Sequence, residues 1–214
     1  MQMDNNINRD NNRVVVEGIV EDDCQFSHEK FGEKFYTFSI GCKRESGIVD
    51  YVPVMVSNRL FPVKEIKAGD QLSVEGQFRS FNEYTGTKNR LRVHVFATEI
   101  YDGEEIFNKN EIFLDGYLCK NPWYRKTPLG REIADMLLAV NRPYGKSDYI
   151  PCICWGRNAR YVDSLEVGCH VKIYGRVQSR EYLKKLDENT QELRTAYEVS
   201  VMKLEVITDE EQSN

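Results

Sequence analysis

Two runs of this chain place rings and cations at alternating positions, which suits stacking on planar groups beside neutralised anions. Asp148-Tyr-Ile-Pro-Cys-Ile-Cys-Trp155 has the length of a strand. Successive strand side chains point to opposite faces. Tyr149, Pro151, Ile153 and Trp155 therefore share one face, and Ile150, Cys152 and Cys154 the other. At the same period, His170 to Tyr182 sends Val171, Ile173, Gly175 and Val177 inward and Lys172, Tyr174, Arg176, Gln178, Arg180 and Tyr182 outward. A single strand of nucleic acid needs such a surface, with rings for its bases and cations for its phosphates. Arg125 and Arg142 are further candidates for phosphate, and Trp123, in a loop after Pro122, for a base. Each has a plainer reading. Aromatic residues are enriched in strands for packing alone, Trp123 equally suits a subunit contact, and arginines are commonly solvated or paired.

Catalysis finds little support. The three histidines, His28, His94 and His170, are scattered, and no nucleophile, base and orienting group fall into a recognisable arrangement. Gly145-Lys-Ser147 ends like a phosphate-binding loop, but Val140 stands where its first glycine belongs, and the context is strand to strand. The six cysteines form no Cys-x-x-Cys pair; they read as buried reduced thiols, with neither a metal site nor a disulfide framework expected. The expectation is a binding protein that is not an enzyme and has no cofactor.

The elements that position these residues follow from the whole chain. Its 214 residues allow one large domain or two small ones. No apolar run approaches the ~20 residues of a membrane span, and the polar start lacks the apolar core of a secretory signal, so a cytoplasmic protein without a membrane partner is expected. The net charge of −5 argues against a nucleic-acid partner until its distribution is considered. Residues 1–108 hold 13 Lys and Arg against 18 Asp and Glu, whereas residues 109–208 hold 16 against 13. The basic excess lies in the second half.

After a disordered-looking start, residues 1–12, strands are expected at 13–20, 35–42, 51–56, 71–81 and 91–101, with a short helix or covered loop at 58–66. The same order then returns. Gly18 and Gly116, Arg44 and Arg142, Tyr51 and Tyr149, and Pro53 and Pro151 are each 98 positions apart. This is a duplicated domain rather than a solenoid. The expected division is a first unit at 13–102, a linker at 103–109, a second unit at 110–207 and an acidic tail at 208–214. Five antiparallel strands in about a hundred residues give an all-β chain of two tandem oligonucleotide/oligosaccharide-binding barrels, with the binding face on strands two and three. The first unit sets Ser73, Glu75, Gln77 and Phe81 opposite Lys172, Tyr174, Arg176 and Arg180, and Ser57 opposite Trp155, so it has lost most cations and one ring. Arg44, Tyr51, Arg79, Phe81, Tyr84, Lys88 and Arg90 remain as weaker candidates there.

Asn121-Pro-Trp-Tyr-Arg-Lys-Thr-Pro-Leu-Gly130, Ala139-Val-Asn-Arg142, Ile150-Pro-Cys-Ile-Cys-Trp-Gly156, Gly175-Arg-Val-Gln-Ser-Arg-Glu-Tyr182 and Tyr197-Glu-Val199 resemble the bacterial single-stranded DNA-binding protein family. The likeness covers residues 110–206, and 13–101 more weakly. It implies sequence-nonspecific binding of single-stranded DNA in replication, recombination or repair, with Tyr149, Trp155 and Tyr182 stacking on bases. It also implies four barrels per assembly, here a homodimer, and replication or repair proteins as further partners. The chain departs from the family in ending Thr208-Asp-Glu-Glu-Gln-Ser-Asn214, without the Asp-Ile-Pro-Phe tip that recruits such proteins. The alternative is a primosome-type adaptor whose acidic first unit docks a protein, since an inherited fold does not fix function.

Overall fold

The structure, a computed structural model, describes residues 11–86, 88–103, 108–185, 187 and 190–208. The first ten residues, most of the linker, the tail beyond Thr208 and the side chain of Lys88 lie outside the described residues. The first unit contains β1 (Asn12–Val20), β2 (Gln25–Lys30), β3 (Glu33–Lys43), β4 (Val49–Ser57), β5 (Gln71–Thr85) and β6 (Lys88–Asp102). The second contains β7 (Asn110–Leu118), β8 (Trp123–Lys126), β9 (Glu132–Arg142), β10 (Lys146–Trp155), the helix α1 (Arg157–Asp163), β11 (His170–Lys185) and β12 (Gln191–Val206).

Period-two alternation produces these strands. In β1, Val14, Val16 and Val20 are buried while Arg13 and Ile19 face out. Twelve strands form one sheet, and the pairings β1–β3 and β7–β9 close it into two barrels. Closure brings backbones close together at Gly18 and Gly116, where an added Cβ would stand 2.2 Å from the Gly41 carbonyl and 2.5 Å from that of Ala139. The repeated glycines at 98-residue spacing thus mark the barrel seams.

The barrels join through antiparallel β1 and β7. Asn12 faces Leu114, Val14 faces Ile112 and Val16 faces Asn110. Displacement by 98 positions turns Asn12 into Asn110 and Val16 into Leu114, so the register maps onto itself about Val14 and Ile112. Asn12 and Asn110 repeat the symmetry in side-chain bonds. The Asn12 amide donates to the Phe78 carbonyl and accepts from its N–H, as Asn110 does with Val177. Asn12 is therefore a buried member of β1, not part of the disordered start expected for residues 1–12; its amide replaces a ladder bond that the backbone cannot make. Apart from Ile133 and Ile153, the buried apolar side chains of the described residues form one cluster through both barrels.

Other departures are local. β2 and β8 extend the β3 and β9 hairpins, and β2 is exposed along its length, without alternation to announce it. The expected helix at 58–66 is a single 3-10 turn at Val63–Glu65 behind Pro62, whereas the second unit has α1, entered at Gly156 with φ of 54°. Ala159 and Val162 of α1 are buried, and the helix packs against β8, β9, β10 and β12.

Candidate nucleic-acid interface

Strand register decides which side chains become neighbours, because directly opposed residues share a face. On the outer face of β8–β9–β10, Trp123 opposes Asp135, which opposes Ile153; Arg125 opposes Ile133, which opposes Trp155. Two rings and one guanidinium therefore lie together, with Tyr149 further along β10. Trp123 is 64% exposed, Tyr149 45% and Trp155 38%. Ile133 and Ile153 are each 3% exposed, outside the main core, and form an apolar floor on this face. Arg125 is fixed by Asp135 at 2.7 and 3.0 Å, with its guanidinium 5.0 Å from the Trp123 ring. Trp123 stands in a strand rather than the expected loop.

The outer residues of β11 divide in two. Beyond a bulge at Tyr174/Gly175, β11 pairs with β12 in the rows Arg176–Ser200, Gln178–Glu198, Arg180–Ala196, Tyr182–Arg194 and Lys184–Glu192. Arg180 lies 3.6 Å from Glu198 and 5.7 Å from the Tyr182 ring. Before the bulge, Lys172 opposes Asp115 and Tyr174 opposes Phe113 on β7. Tyr174 packs on Phe113 at 5.0 Å, with Lys203 5.4 Å from its ring, and Lys172 reaches Asp115 at 4.0 Å. Lys172 and Tyr174 therefore do not continue one row with Arg176, Arg180 and Tyr182, since the strand curls from one side of the barrel to another.

Arg44 and Arg142 belong to a clamp between the barrels. Asp50 and Asp148 have no exposed side-chain surface. Asp50 accepts the Ser179 N–H at 3.1 Å and bonds Arg44 at 2.5 Å, while Arg176 approaches to 3.9 Å. Asp148 accepts the Ser80 N–H at 2.5 Å, and the Arg142 Nε stands 2.9 Å from it without a well-directed hydrogen bond. The hydroxyls of Ser179 and Ser80 in turn accept the N–H groups of Tyr51 and Tyr149 at 2.9 and 2.8 Å. Each hairpin thus leans on the other barrel, and both tyrosine rings are left 45% exposed. Two hydrogen bonds to Asp50 favour the structural reading of Arg44 over phosphate contact, whereas Arg142 lies beside Asp148 without such a bond.

The first barrel is less depleted than its β5 suggests, because β6 lies parallel to β4 with Met55 beside Phe96. On this face His28 stacks on Phe35 at 4.9 Å, and Phe35 lies 6.1 Å from Phe96. Arg79 holds its guanidinium 3.9 Å from the Phe96 ring, and Phe81 meets the His94 ring at 5.5 Å. These neighbours are missed by sequence reading because they lie on strands far apart in the chain; alternation along 91–101 is the one signal that could have placed Phe96 and His94 on the face of Arg92. Burial, then the charges of Arg79 and Arg142, push His94 down to about 4. Its folded pKa lies below the unfolded one near 6.5, so this group's contribution to stability is full above that value and is lost as pH falls toward 4. Between the hairpin arms runs a groove of 760 Å³ lined by Arg90, Arg92, Tyr182, Lys184 and Arg194 over Pro151, with Glu192, which holds Arg194 at 2.6 Å, and Glu198 among them. Lys184 and Arg194 are further cations that the sequence reading left out. Arg92 is paired with Glu83 at 2.8 Å, and Tyr84 is 78% exposed near the tip of its hairpin.

The six cysteines are free, and burial pushes the Cys42 and Cys154 thiols up to about 12, which keeps them protonated at neutral pH. Among the described residues no group of three His, Cys, Asp or Glu is placed to hold a metal.

The model of the Single-strand binding protein family matches residues 109–207. Single-stranded DNA-binding protein 3 of Listeria innocua is 39% identical over 80 residues, covering 34% of this chain and 50% of its own. Single-stranded DNA-binding protein A of Bacillus subtilis is 38% identical over 80 residues, 34% of this chain and 46% of its own. The chain thus spans about half the length of the curated relatives it matches. The crystal structure of the wild-type single-stranded DNA binding protein from Thermus aquaticus superposes with a TM-score of 0.72 at 20% identity, covering 92% of this chain and 93% of that one. At that identity the likeness concerns the fold. The likeness to the single-strand binding protein family thus lies in the second unit, residues 109–207.

Proposed function

We propose that the chain binds single-stranded DNA without sequence preference, in replication, recombination or repair in the cytoplasm. The observation that carries this reading is the outer surface of the second barrel, where Trp123, Tyr149 and Trp155 stand exposed over an apolar floor and the hairpin adds Arg176, Arg180, Tyr182, Lys184 and Arg194. Rings offer a face to any base, and the cations track the backbone. The names of the Listeria and Bacillus relatives support the same ligand. The first barrel contributes through Tyr51, Arg79, Phe81, Tyr84 and Arg90, with Phe35 and Phe96 beside them.

Titrating the intrinsic tryptophan fluorescence with a thymidine oligonucleotide of about thirty bases tests this. Quenching by the single strand and not by a duplex is expected, weakened but not abolished near 0.3 M salt, because counterion release is salt-dependent and stacking is not. An absence of binding at low salt would overturn the reading.

The same chain forms a homodimer, giving four barrels. On the exposed side of β6–β5–β1–β7–β11–β12, the first-barrel half presents Arg13, Glu17, Glu75, Glu99 and Tyr101, and the second-barrel half Phe113, Tyr117 and Tyr174 among Glu111, Asp115, Lys172, Lys203 and Glu205. A two-fold axis lays this face of one copy on the same face of the other and buries the rings of its second-barrel half. Sedimentation equilibrium is expected to give twice the chain mass, with Tyr174→Glu giving the single chain; a parent at the mass of one chain would remove this arrangement.

A further inference from the structure

On the first barrel lies a cluster that the rings and cations of the second barrel do not explain. His94 is 9% exposed, and its Nδ1 is buried with no hydrogen-bond partner. Its cross-strand neighbour is Arg79. Arg142 of the second barrel, beside Asp148, brings a second positive charge to bear on the His94 ring. His28, stacked on Phe35, acts on it more weakly. Asp148 is the carboxylate of this group, and it already accepts the Ser80 N–H and faces Arg142. Arg79 and Arg142 act both on the His94 ring and on Asp148, a carboxylate already engaged by the Ser80 N–H, so positive charge is in excess here.

At the equivalent clamp Asp50 likewise gathers two guanidiniums, those of Arg44 and Arg176, but the position of His94 is taken by Glu198. In the row equivalent to Arg79–His94, Gln178 donates to Glu198 at 2.8 Å, and Arg180 stands 3.6 Å from that carboxylate. The imidazole is what sets this cluster apart, and His94 shares its face with Phe81 and Phe96.

We propose that Arg79, Arg142 and His94 form a seat for one backbone phosphate of the bound strand, and that filling it puts a proton from solvent on His94. This rests on the single-strand binding reading above. A phosphate between the three groups cancels the repulsion that keeps the imidazole neutral, and the imidazolium has two N–H donors to offer it. Arg79 and Arg142 then contribute charge-assisted hydrogen bonds, which are the stronger kind. Binding and protonation are thereby linked, each favouring the other.

The test is titration calorimetry of the full chain with a thymidine oligonucleotide, whose bases do not protonate in this range, in buffers of different ionisation enthalpy. Affinity is expected to rise about tenfold from about pH 7.5 to about pH 5, with net proton uptake. In His94→Gln both effects disappear, while His28 and Asp148 are retained. The double change Arg79→Gln with His94→Glu copies the row that the second barrel already folds with, and it is expected to bind more weakly and without the pH effect. Equal pH dependence in the parent and His94→Gln would overturn the phosphate seat and leave single-strand binding standing. No binding by any of the three proteins at either pH would overturn both.

Discussion

Trp155→Ala lowers affinity for a thymidine oligonucleotide about five- to a hundredfold, because a base stacked on a ring is worth roughly 1–3 kcal/mol, a magnitude known in part from proteins of this kind. The Trp155 ring is 38% exposed and stands beside Ile133 on β9. It lies outside the main core, so its truncation leaves the barrel folded. Trp123→Ala is expected to cost less, since that ring is 64% exposed and partly covered by Arg125. Anisotropy of a labelled strand reads both variants, with thermal melting as the control on folding. Unchanged affinity of a folded Trp155→Ala protein would remove the β10 face from the binding surface. Surface ion pairs are worth roughly 0–1 kcal/mol, so losses on this scale cannot come from one exposed salt bridge.

The largest effect on stability is expected at the clamp. Asp148→Ala leaves the Ser80 N–H without its acceptor and the Arg142 charge without its partner, and breaking a buried pair in this way typically costs about 3–5 kcal/mol. Asp148→Asn keeps an acceptor for Ser80 and should cost less. Burial raises the Asp148 carboxyl above its ordinary range, against the Ser80 N–H and the nearby arginines, which lower it. The folded state therefore holds this proton more tightly than the unfolded chain does, and this group's contribution falls as pH rises through the folded pKa. Chemical denaturation of parent, Ala and Asn variants at neutral pH reads the difference. If the Ala variant were as stable as the parent, the Asp148 half of the clamp would contribute nothing and the junction would rest on the β1–β7 ladder and the Asp50 half.

Much of this was legible because it is local. Alternation along β10 separated Tyr149 and Trp155 from Ile150 and Cys152, and the 98-residue repeat announced two copies of one unit. What alternation cannot give is which way a face points once its strand bends. The outer residues of β11 form one series in sequence, yet the bulge at Tyr174/Gly175 and the curl of the barrel send Lys172 and Tyr174 to β7 and leave Arg176, Arg180 and Tyr182 on the hairpin. Arg44 and Arg142 were visible as repeated arginines, but their partners Asp50 and Asp148 became decisive only through Ser179 and Ser80 of the opposite barrel.

The sequence by itself determined the five main strands of the unit, its duplication, the seam glycines and the ring-bearing strand of the second barrel, because each depends on near neighbours or on a period of two. Only the tertiary structure decided that the barrels share one sheet about Val14 and Ile112, and that Phe35, Phe96, Arg79 and His94 meet on the first barrel. Those contacts are made between strands far apart in the chain, whose pairing is set by barrel closure and burial rather than by any local preference.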